Sequence, residues 1–281
     1  MSESNIKLKA CRICLPHGQY DGEVDSKKRF HGSGIFKNFN TGDTYEGEFR
    51  AGLREGFGEF TCSQGQYIGE WRKDHISGRG RFNYASGDVY IGVFKNGKKH
   101  GRGKLVLADG LEYEGEFEHD EFQGEGTLQT PEGDIYKGNF VNGLIQGKGK
   151  KTFKDGTTYD GDWKQNKRCG QGKQFFASDQ TTYEGSWKAD VIEGFGVMTT
   201  ENERYEGEFK AGLREGQGRL TLGGDVYEGN LECKTKRIRQ CILFGIGLLG
   251  NPFIANRLLP KRGNCQGVPY SWQWGPLFRT L

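Results

Sequence analysis

Two cysteines and a histidine near the start of the chain have the residue types of a zinc site. Cys11, Cys14 and His17 follow one another at intervals of three residues. A structural zinc site needs four ligands, and His31 is the nearest side chain that could supply the fourth. The seven cysteines are odd in number and widely spaced, so no second pair completes the set. We therefore interpret them as reduced thiols in the cytosol and predict no metal site.

Other patterns that could carry catalysis are incomplete. Gly245, Gly247 and Gly250 have the spacing of a dinucleotide-binding loop, but Pro252 interrupts the helix that should follow, and no acidic residue comes after it. Carboxylates recur at the same place in successive segments, whereas a catalytic pair should occur once. The sequence also lacks a nucleophile elbow and a kinase loop. It predicts a protein that is not an enzyme and has no catalytic or cofactor-binding residues.

A tyrosine–glycine repeat organises most of the chain. The triplet Tyr-x-Gly occurs ten times at intervals of 22 to 25 residues, from Tyr20 to Tyr227. A Gly-x-Gly follows each of the first nine tyrosines after 11 residues, or 12 in the first case, and the next tyrosine follows after 11 to 13. A turn of fixed length therefore alternates with a loop that accepts insertions. This is the expected variation of tandem β-hairpins.

Side-chain alternation predicts two different faces for these hairpins. In residues 67–71, Tyr67, Gly69 and Trp71 fall on one face of a strand, while Ile68 and Glu70 fall on the other. Other repeats place Glu or Asp at both positions of the second face. We call these the aromatic face and the charged face. A helix is excluded because glycine at every second position would cost about 1 kcal/mol per residue.

The pattern Tyr-x-Gly-x-(Phe/Trp), then six residues and Gly-x-Gly, resembles the MORN (membrane occupation and recognition nexus) repeat. The resemblance covers residues 18–232, with nine full units and a terminal half unit. It implies an all-β fold: an elongated, twisted single-layer antiparallel β-meander of tandem hairpins with an aromatic-lined groove. Lys151 and Gln174 depart from the pattern, because they stand where other units have an apolar residue such as Phe60.

Three segments follow from this reading: an N-terminal lead-in at 1–17, the repeat array at 18–232, and a tail at 233–281. The tail carries eight basic residues and no acidic one, so it is either a cap, a disordered segment, or an attachment to an anionic partner. Its longest apolar run, 241–249, is far shorter than the roughly 20 residues of a membrane span. We also expect no signal peptide, because residues 1–16 have no apolar core.

The aromatic face is the predicted site for a protein partner, such as an apolar helix or segment, because a long exposed apolar strip would otherwise be a liability. The alternative is that its rings stack on one another and are covered by the tail. The predicted groove consists of the tyrosine and the following aromatic residue of eight units: Tyr45, Phe49, Tyr67, Trp71, Tyr90, Phe94, Tyr113, Phe117, Tyr136, Phe140, Tyr159, Trp163, Tyr183, Trp187, Tyr205 and Phe209.

Basic residues beside the fixed turn are candidates for binding anionic lipid headgroups, with ordinary solvated turns as the alternative. They are Lys95, Lys98, Lys99, Lys164, Lys167 and Arg168. Nucleic acid is not an expected partner, because the chain outside the tail has 32 basic and 37 acidic residues (40 − 8 against 37). Unpaired sheet edges also allow a homodimer.

We expect a cytoplasmic scaffold that binds protein partners along the aromatic groove. The MORN resemblance implies association with the cytoskeleton or with a cilium or flagellum. The alternative is a peripheral membrane tether that binds anionic phospholipids through the basic turns and tail.

Overall fold

The computed structural model describes residues 8–233, 241–246 and 252–256, and these residues form strands and turns with no helix. The predicted all-β class is thus confirmed. The described residues contain 22 strands: β1 Lys9–Leu15, β2 Gly18–Val24, β3 Phe30–Asn38, β4 Thr44–Arg50, β5 Leu53–Cys62, β6 Gly65–Arg72, β7 His75–Tyr84, β8 Val89–Lys95, β9 Lys98–Val106, β10 Glu112–Glu118, β11 Glu121–Gln129, β12 Ile135–Val141, β13 Leu144–Thr152, β14 Thr158–Lys164, β15 Lys167–Phe176, β16 Thr181–Lys188, β17 Val191–Thr199, β18 Glu203–Lys210, β19 Leu213–Leu222, β20 Asp225–Cys233, β21 Cys241–Ile246 and β22 Pro252–Asn256.

The strands form antiparallel meanders within two compact units. The first unit ends at Lys154 and the second begins at Asp155. In the first unit each strand from β1 to β13 pairs with its chain neighbours, and in the second the same holds from β14 to β22. This order is the meander that the repeat predicts.

The fixed half of the repeat is a two-residue hairpin turn. Asn96 and Gly97 join β8 to β9 with φ angles of 51° and 80°. Positive φ at both central residues defines a type I′ turn, whose twist matches that of the flanking strands. Seven further hairpins have the same signature: 51–52, 73–74, 119–120, 142–143, 165–166, 189–190 and 211–212. The turn length cannot vary without losing this geometry, which explains the constant 11-residue interval.

The Gly-x-Gly motif lies at an irregularity in the ladder. Gly56 has a φ of 73°, and the pairing of β4 with β5 shifts between Gly47 and Phe49. One residue of β4, Glu48, lies opposite three of β5, residues 55–57, and a glycine in this conformation accommodates the extra residues of such a bulge. The Glu48 carboxylate accepts a hydrogen bond from the Phe57 amide at 3.1 Å, which satisfies a donor that the bulge releases.

The described strands extend beyond the predicted array at both ends. β1 lies within the predicted lead-in and pairs with β2 along its whole length. β21 and β22 lie within the predicted tail and continue the pairing from β20. Alternating polar and apolar residues in β1 lack the Tyr-x-Gly signature, which is why the repeat did not reveal this strand. The remainder of the tail, with Gly247 and Gly250 of the glycine motif, lies outside the described residues.

Candidate interaction surfaces

The sixteen aromatic residues of the predicted groove form the core of the array. Each is at most 6 % exposed in the chain by itself. Their rings meet edge to face in a ladder: Tyr67 lies 5.6 Å from Trp71 of its own repeat and 5.3 Å from Phe94 of the next. This geometry is the favoured one for aromatic pairs. A partner on the aromatic face would therefore contact the residues at the margin of that face more than the sixteen rings. Binding of a partner to the aromatic face stays a prediction.

Each tyrosine ring lies flat across a pair of glycines. A Cβ atom at Gly126 would lie 2.5 Å from the Tyr113 hydroxyl oxygen, and one at Gly115 would lie equally close to it. The hydroxyl group donates a hydrogen bond to the Glu116 carbonyl at 2.9 Å. Burial raises the pKa of Tyr113 to about 12, because the ionised form would lose its hydration. The glycines of both motifs thus leave room for the ring.

A second side chain covers each ring from the margin, and the sequence reasoning missed this position. It is the second residue after the type I′ turn. Phe122 stacks on Tyr113 with ring centroids 3.7 Å apart, and the Arg54 guanidinium lies 4.1 Å from the Trp71 centroid. Since Phe, Ile, Lys and Arg all occur there, residue type gives no common signal. Its constant distance from the turn is the signal that could have identified it.

Three of the four basic covering residues pair with an aspartate of the following hairpin turn, whereas Arg214 pairs with Glu203. Arg54 donates to Asp74 from its amide at 2.9 Å and from Nε at 3.2 Å. Arg168 and Asp190 make the same pair, with Nε to Oδ1 at 2.9 Å. Where the covering residue is apolar, the following turn has a neutral residue at the aspartate position: glycine after Ile76, Phe122 and Ile192, and Asn166 after Ile145. The charge of the covering residue is therefore matched to the neighbouring turn.

The six predicted lipid-binding residues separate into two groups. Lys99 and Arg168 are covering residues: each is only partly exposed and paired with Asp120 and Asp190, respectively. The other four are exposed and lie where a strand meets its turn: Lys95, Lys98, Lys164 and Lys167. Lys95 is directly opposite Lys98, and Lys164 is opposite Lys167, so each pair concentrates positive charge at one turn.

The two departures from the repeat pattern are resolved by polar contacts. Lys151 pairs with Asp134 at 2.8 Å and lies 4.5 Å from the Phe153 ring centroid. Gln174 is buried and accepts a hydrogen bond from the Arg168 guanidinium. Buried polar groups need such partners, so both substitutions remain compatible with the aromatic core.

The charged face carries the open depressions among the described residues. They lie between two rows of outward-pointing side chains, and the glycine backbones of the repeat form their floor. One lies in the first unit over Gly69, Gly80 and Gly92. Another lies in the second unit beside Phe195, which is 58 % exposed.

The described part of the chain contains no group of three or more His, Cys, Asp or Glu side chains that could hold a metal ion, and this includes the cysteines and histidines considered above as zinc ligands. His31 instead accepts a hydrogen bond from the Ala51 amide at 3.3 Å.

The described residues form no helix that is long and apolar enough to cross a membrane.

The MORN repeat sequence profile matches eight consecutive segments of the chain: 45–66, 67–89, 90–112, 113–135, 136–158, 159–181, 183–202 and 205–223. Together they cover more than half of its residues. The chain belongs to the MORN repeat family. MORN repeats are generally non-catalytic and mediate interactions with proteins or membranes, so this chain is a repeat protein of the interaction class.

The chain is also similar to part of alsin. The rat and human proteins are each 36 % identical to this chain over 80 residues, which is 26 % of the chain but only 5 % of alsin. Among solved structures, the TCP10 domain of zebrafish CPAP in complex with a STIL peptide aligns over 78 % of this chain and 97 % of its own. At 12 % identity and a TM-score of 0.30, that likeness carries no argument about fold or function.

Proposed function

We propose that this chain is a non-enzymatic cytoplasmic scaffold that binds protein partners along its MORN sheet, at the cytoskeleton or in a cilium or flagellum. The supporting observation is that the array completes its own core on the aromatic face. The charged face and the margins of the aromatic face remain available over many repeats. Repeat proteins use such extended surfaces for binding.

Proximity labelling in ciliated cells, with the full-length chain fused to a labelling enzyme, tests this function. We expect cytoskeletal or axonemal proteins to be enriched over a control that expresses the labelling enzyme alone. Cross-linking of a recovered partner then locates the face. Links to Lys99 and Lys151 would indicate the aromatic face, and links to Lys104 and Lys173 the charged face. Failure to enrich any protein above the control would contradict the scaffold proposal.

A membrane tether is the second candidate, and the hairpin turns support it. Lys95 and Lys98 are exposed in the first unit, where Val141 and Leu144 are 45 % and 40 % exposed at another turn. In the second unit, Lys164 and Lys167 are accompanied by Val191, which is 41 % exposed. Cationic and aliphatic side chains at the same margin are suited to an anionic bilayer surface.

Liposome flotation with and without phosphoinositides, at two salt concentrations, tests the tether. The samples are the full-length chain, a 1–232 truncation, and a variant with the four exposed turn lysines replaced by glutamate. Reversal of Lys137 and Lys150, exposed lysines on the charged face, is the matched control. Salt-sensitive flotation that only the turn variant loses would support the tether. Flotation that depends only on residues 233–281 would assign binding to the tail.

The proposed homodimer concerns the edge of the first unit. Within the described residues, β1 pairs on one side only, with β2. An unpaired strand edge can receive another strand. Light scattering of the full-length chain across a concentration series would test it, since a mass of one chain at every concentration would contradict the dimer.

A further inference from the structure

The charged face changes character in the third and fourth repeats. At the positions where other repeats carry acidic residues, such as Glu114 and Glu116, these repeats carry Ile68, Ile91 and Val93. None of the three is needed to cover the tyrosine rings, because they point away from the aromatic face. Packing of the aromatic core therefore does not explain why these three positions are apolar.

The strand register brings these residues together with a phenylalanine and arginines. Phe57, Ile68, Ile91 and Val93 line one open depression of about 470 Å³ with Arg79 and Arg102. We call these six residues the arginine-rimmed patch. Phe57 is 57 % exposed and Ile91 is 49 % exposed. Arg79 lies directly opposite Val93 in the ladder, so apolar and cationic groups alternate across it.

The arginines of the patch differ from those on the aromatic face. Arg54, Arg168 and Arg214 each pair with a carboxylate of their own chain. Arg79 and Arg102 are exposed, and within the described residues neither guanidinium forms an ion pair.

Four other charged groups near the patch are already engaged, while Glu116 lies directly opposite Arg102 in the ladder. The Glu70 carboxylate accepts a hydrogen bond from the Arg79 amide at 3.2 Å, and Glu59 accepts one from Gln66 at 2.5 Å. Arg81, which is opposite Ile91, donates to Asn83 at 2.8 Å, and Lys104 pairs with Glu112 at 2.8 Å. The two free guanidinium groups are therefore the donors that remain for a ligand.

We infer that the arginine-rimmed patch binds a linear segment of a partner protein in which apolar side chains are flanked by carboxylates. This inference rests on the proposed scaffold function and names the chemistry of one partner. Arginine presents a planar pair of donors that matches a carboxylate, and exposed Phe and Ile side chains gain from apolar contact. Aromatic and arginine residues together are typical of the energetically important part of interfaces.

Charge and shape favour this occupant over two others. The chain's own segment after Glu232 carries eight basic residues and no acidic one, so the arginines would repel it. A membrane surface is less well matched, because the apolar side chains line a depression on a broad sheet face and do not project from an edge. A segment with both acidic and apolar residues would pair with the free guanidinium groups and bury the exposed apolar side chains.

Fluorescence anisotropy with a labelled twelve-residue peptide of alternating glutamate and leucine tests the inference on the full-length chain. A lysine–leucine peptide and a glutamate–serine peptide are the controls for charge and for apolar contact. We expect binding of the first peptide alone, and about a tenfold loss of affinity for both Arg79→Glu and Ile91→Ser. Equal binding of all three peptides would overturn the inference.

Two matched variants separate the patch from general effects of charge and hydrophobicity. Arg50→Glu reverses an exposed arginine outside the patch, and Val191→Ser removes an exposed aliphatic residue in the second unit. Both should bind the peptide as the unaltered chain does. Equal loss of peptide binding in these two variants would overturn the inference. So would a result in which no peptide binds and the patch variants instead lose flotation on anionic vesicles.

The same variants distinguish this inference from the scaffold proposal. If proximity labelling recovers the same partners with Arg79→Glu and with the unaltered chain, and the peptide does not bind, the patch inference fails while the scaffold proposal stands. If the peptide binds at the patch and no cellular protein is enriched, the scaffold proposal fails by itself.

Discussion

At the scale of single residues, the stacking of tyrosine on glycine determines which substitutions the array tolerates. Gly126 has ordinary extended backbone, but the Tyr113 ring occupies the space of its missing side chain. Gly97 is the reverse case: it has a φ of 80° and open space around it. One glycine is required by packing and the other by backbone conformation.

Gly126→Ala should therefore destabilise the array more than Gly97→Ala. A methyl group 2.5 Å from the Tyr113 hydroxyl oxygen forces the ring or the strand to move. We expect a loss of about 2–3 kcal/mol in the free energy of unfolding for Gly126→Ala, as for other overpacked cores. Gly97→Ala should cost about 1 kcal/mol for the left-handed conformation. Urea denaturation followed by tyrosine and tryptophan fluorescence measures both, and equal losses would contradict the packing argument.

Tyrosine burial also predicts how stability depends on pH. Burial raises the pKa of Tyr113 and Tyr183 to about 12, from an ordinary value of 10.0. Between these values the unfolded chain loses the phenolic protons while the folded chain keeps them. Stability contributed by the neutral hydroxyl groups is thus fully present below pH 10 and is lost as the pH rises toward 12.

We expect the urea midpoint to fall continuously from pH 10 to pH 12, and the absorbance of tyrosinate to appear together with unfolding. Absorbance at the tyrosinate band and circular dichroism, recorded on the same samples, check this. Ionisation of all tyrosines near pH 10 with the sheet intact would show that the rings are not buried as described.

At the scale of elements, the type I′ turn is the constant part of each hairpin, but its residues are not uniformly favourable. Asn96-Gly97 and Asn142-Gly143 have the preferred residues for two positive φ angles. Ala211 adopts a φ of 51° in the turn between β18 and β19, where an alanine side chain is disfavoured.

Ala211→Asn should raise the free energy of unfolding by about 0.5–1 kcal/mol, because asparagine tolerates the left-handed region better. The Ala211 amide donates to Glu193 at 2.9 Å, and this backbone bond survives the substitution. Asn96→Ala is the matched control and should lower stability by a similar amount. Thermal unfolding by circular dichroism measures the pair, and a shift in the same direction for both would contradict the turn assignment.

The strands and hairpin turns of the repeat array could be predicted from the sequence because spacing alone specifies them, whereas β1 lacks that spacing. Tyr67, Gly69 and Trp71 share a face for any strand of ordinary pleat, and a turn of two residues fixes the register. The covering position could not be predicted from residue type, since Arg54 and Phe122 perform the same packing with different chemistry. The constant distance from the turn marks this position in the sequence, but only the three-dimensional placement of the side chain over a ring shows what it does there.

For the candidate binding surfaces the sequence leaves alternatives open, and the reason is physical. A repeated apolar residue in a sheet indicates that a face is covered, but not whether a partner or its own neighbours cover it. The sixteen aromatic residues cover one another. The arginine-rimmed patch departs from the repeat, so the acidic pattern that the other units share gives no signal for Ile68 and Ile91 as a site.

At the scale of the whole molecule, each compact unit is a series of neighbour contacts. Tyr113 packs against Phe117 of its own strand, Phe122 of the next, and Phe140 one strand further. Its cross-strand partner Leu105 lies on the preceding strand. All of these contacts fall within β9 to β12. In such arrays stability is close to a sum of local terms, so damage should stay near its origin.

Tyr113→Ala should therefore increase hydrogen exchange in β9 to β12 while β4 and β5, or β18 and β19, keep nearly their original protection. Removal of a buried aromatic ring lowers the free energy of unfolding by about 3–5 kcal/mol, and the strands that contact the ring are the ones destabilised. Tyr113→Phe is the matched control: it keeps the ring and removes only the hydroxyl group, which donates to the Glu116 carbonyl at 2.9 Å and more weakly to the Gln123 carbonyl at 3.4 Å, for about 1 kcal/mol. Exchange measured by mass spectrometry on peptic fragments resolves these strands. A uniform increase from β2 to β20 would mean that the array unfolds as one cooperative body, and the neighbour-contact description would be wrong.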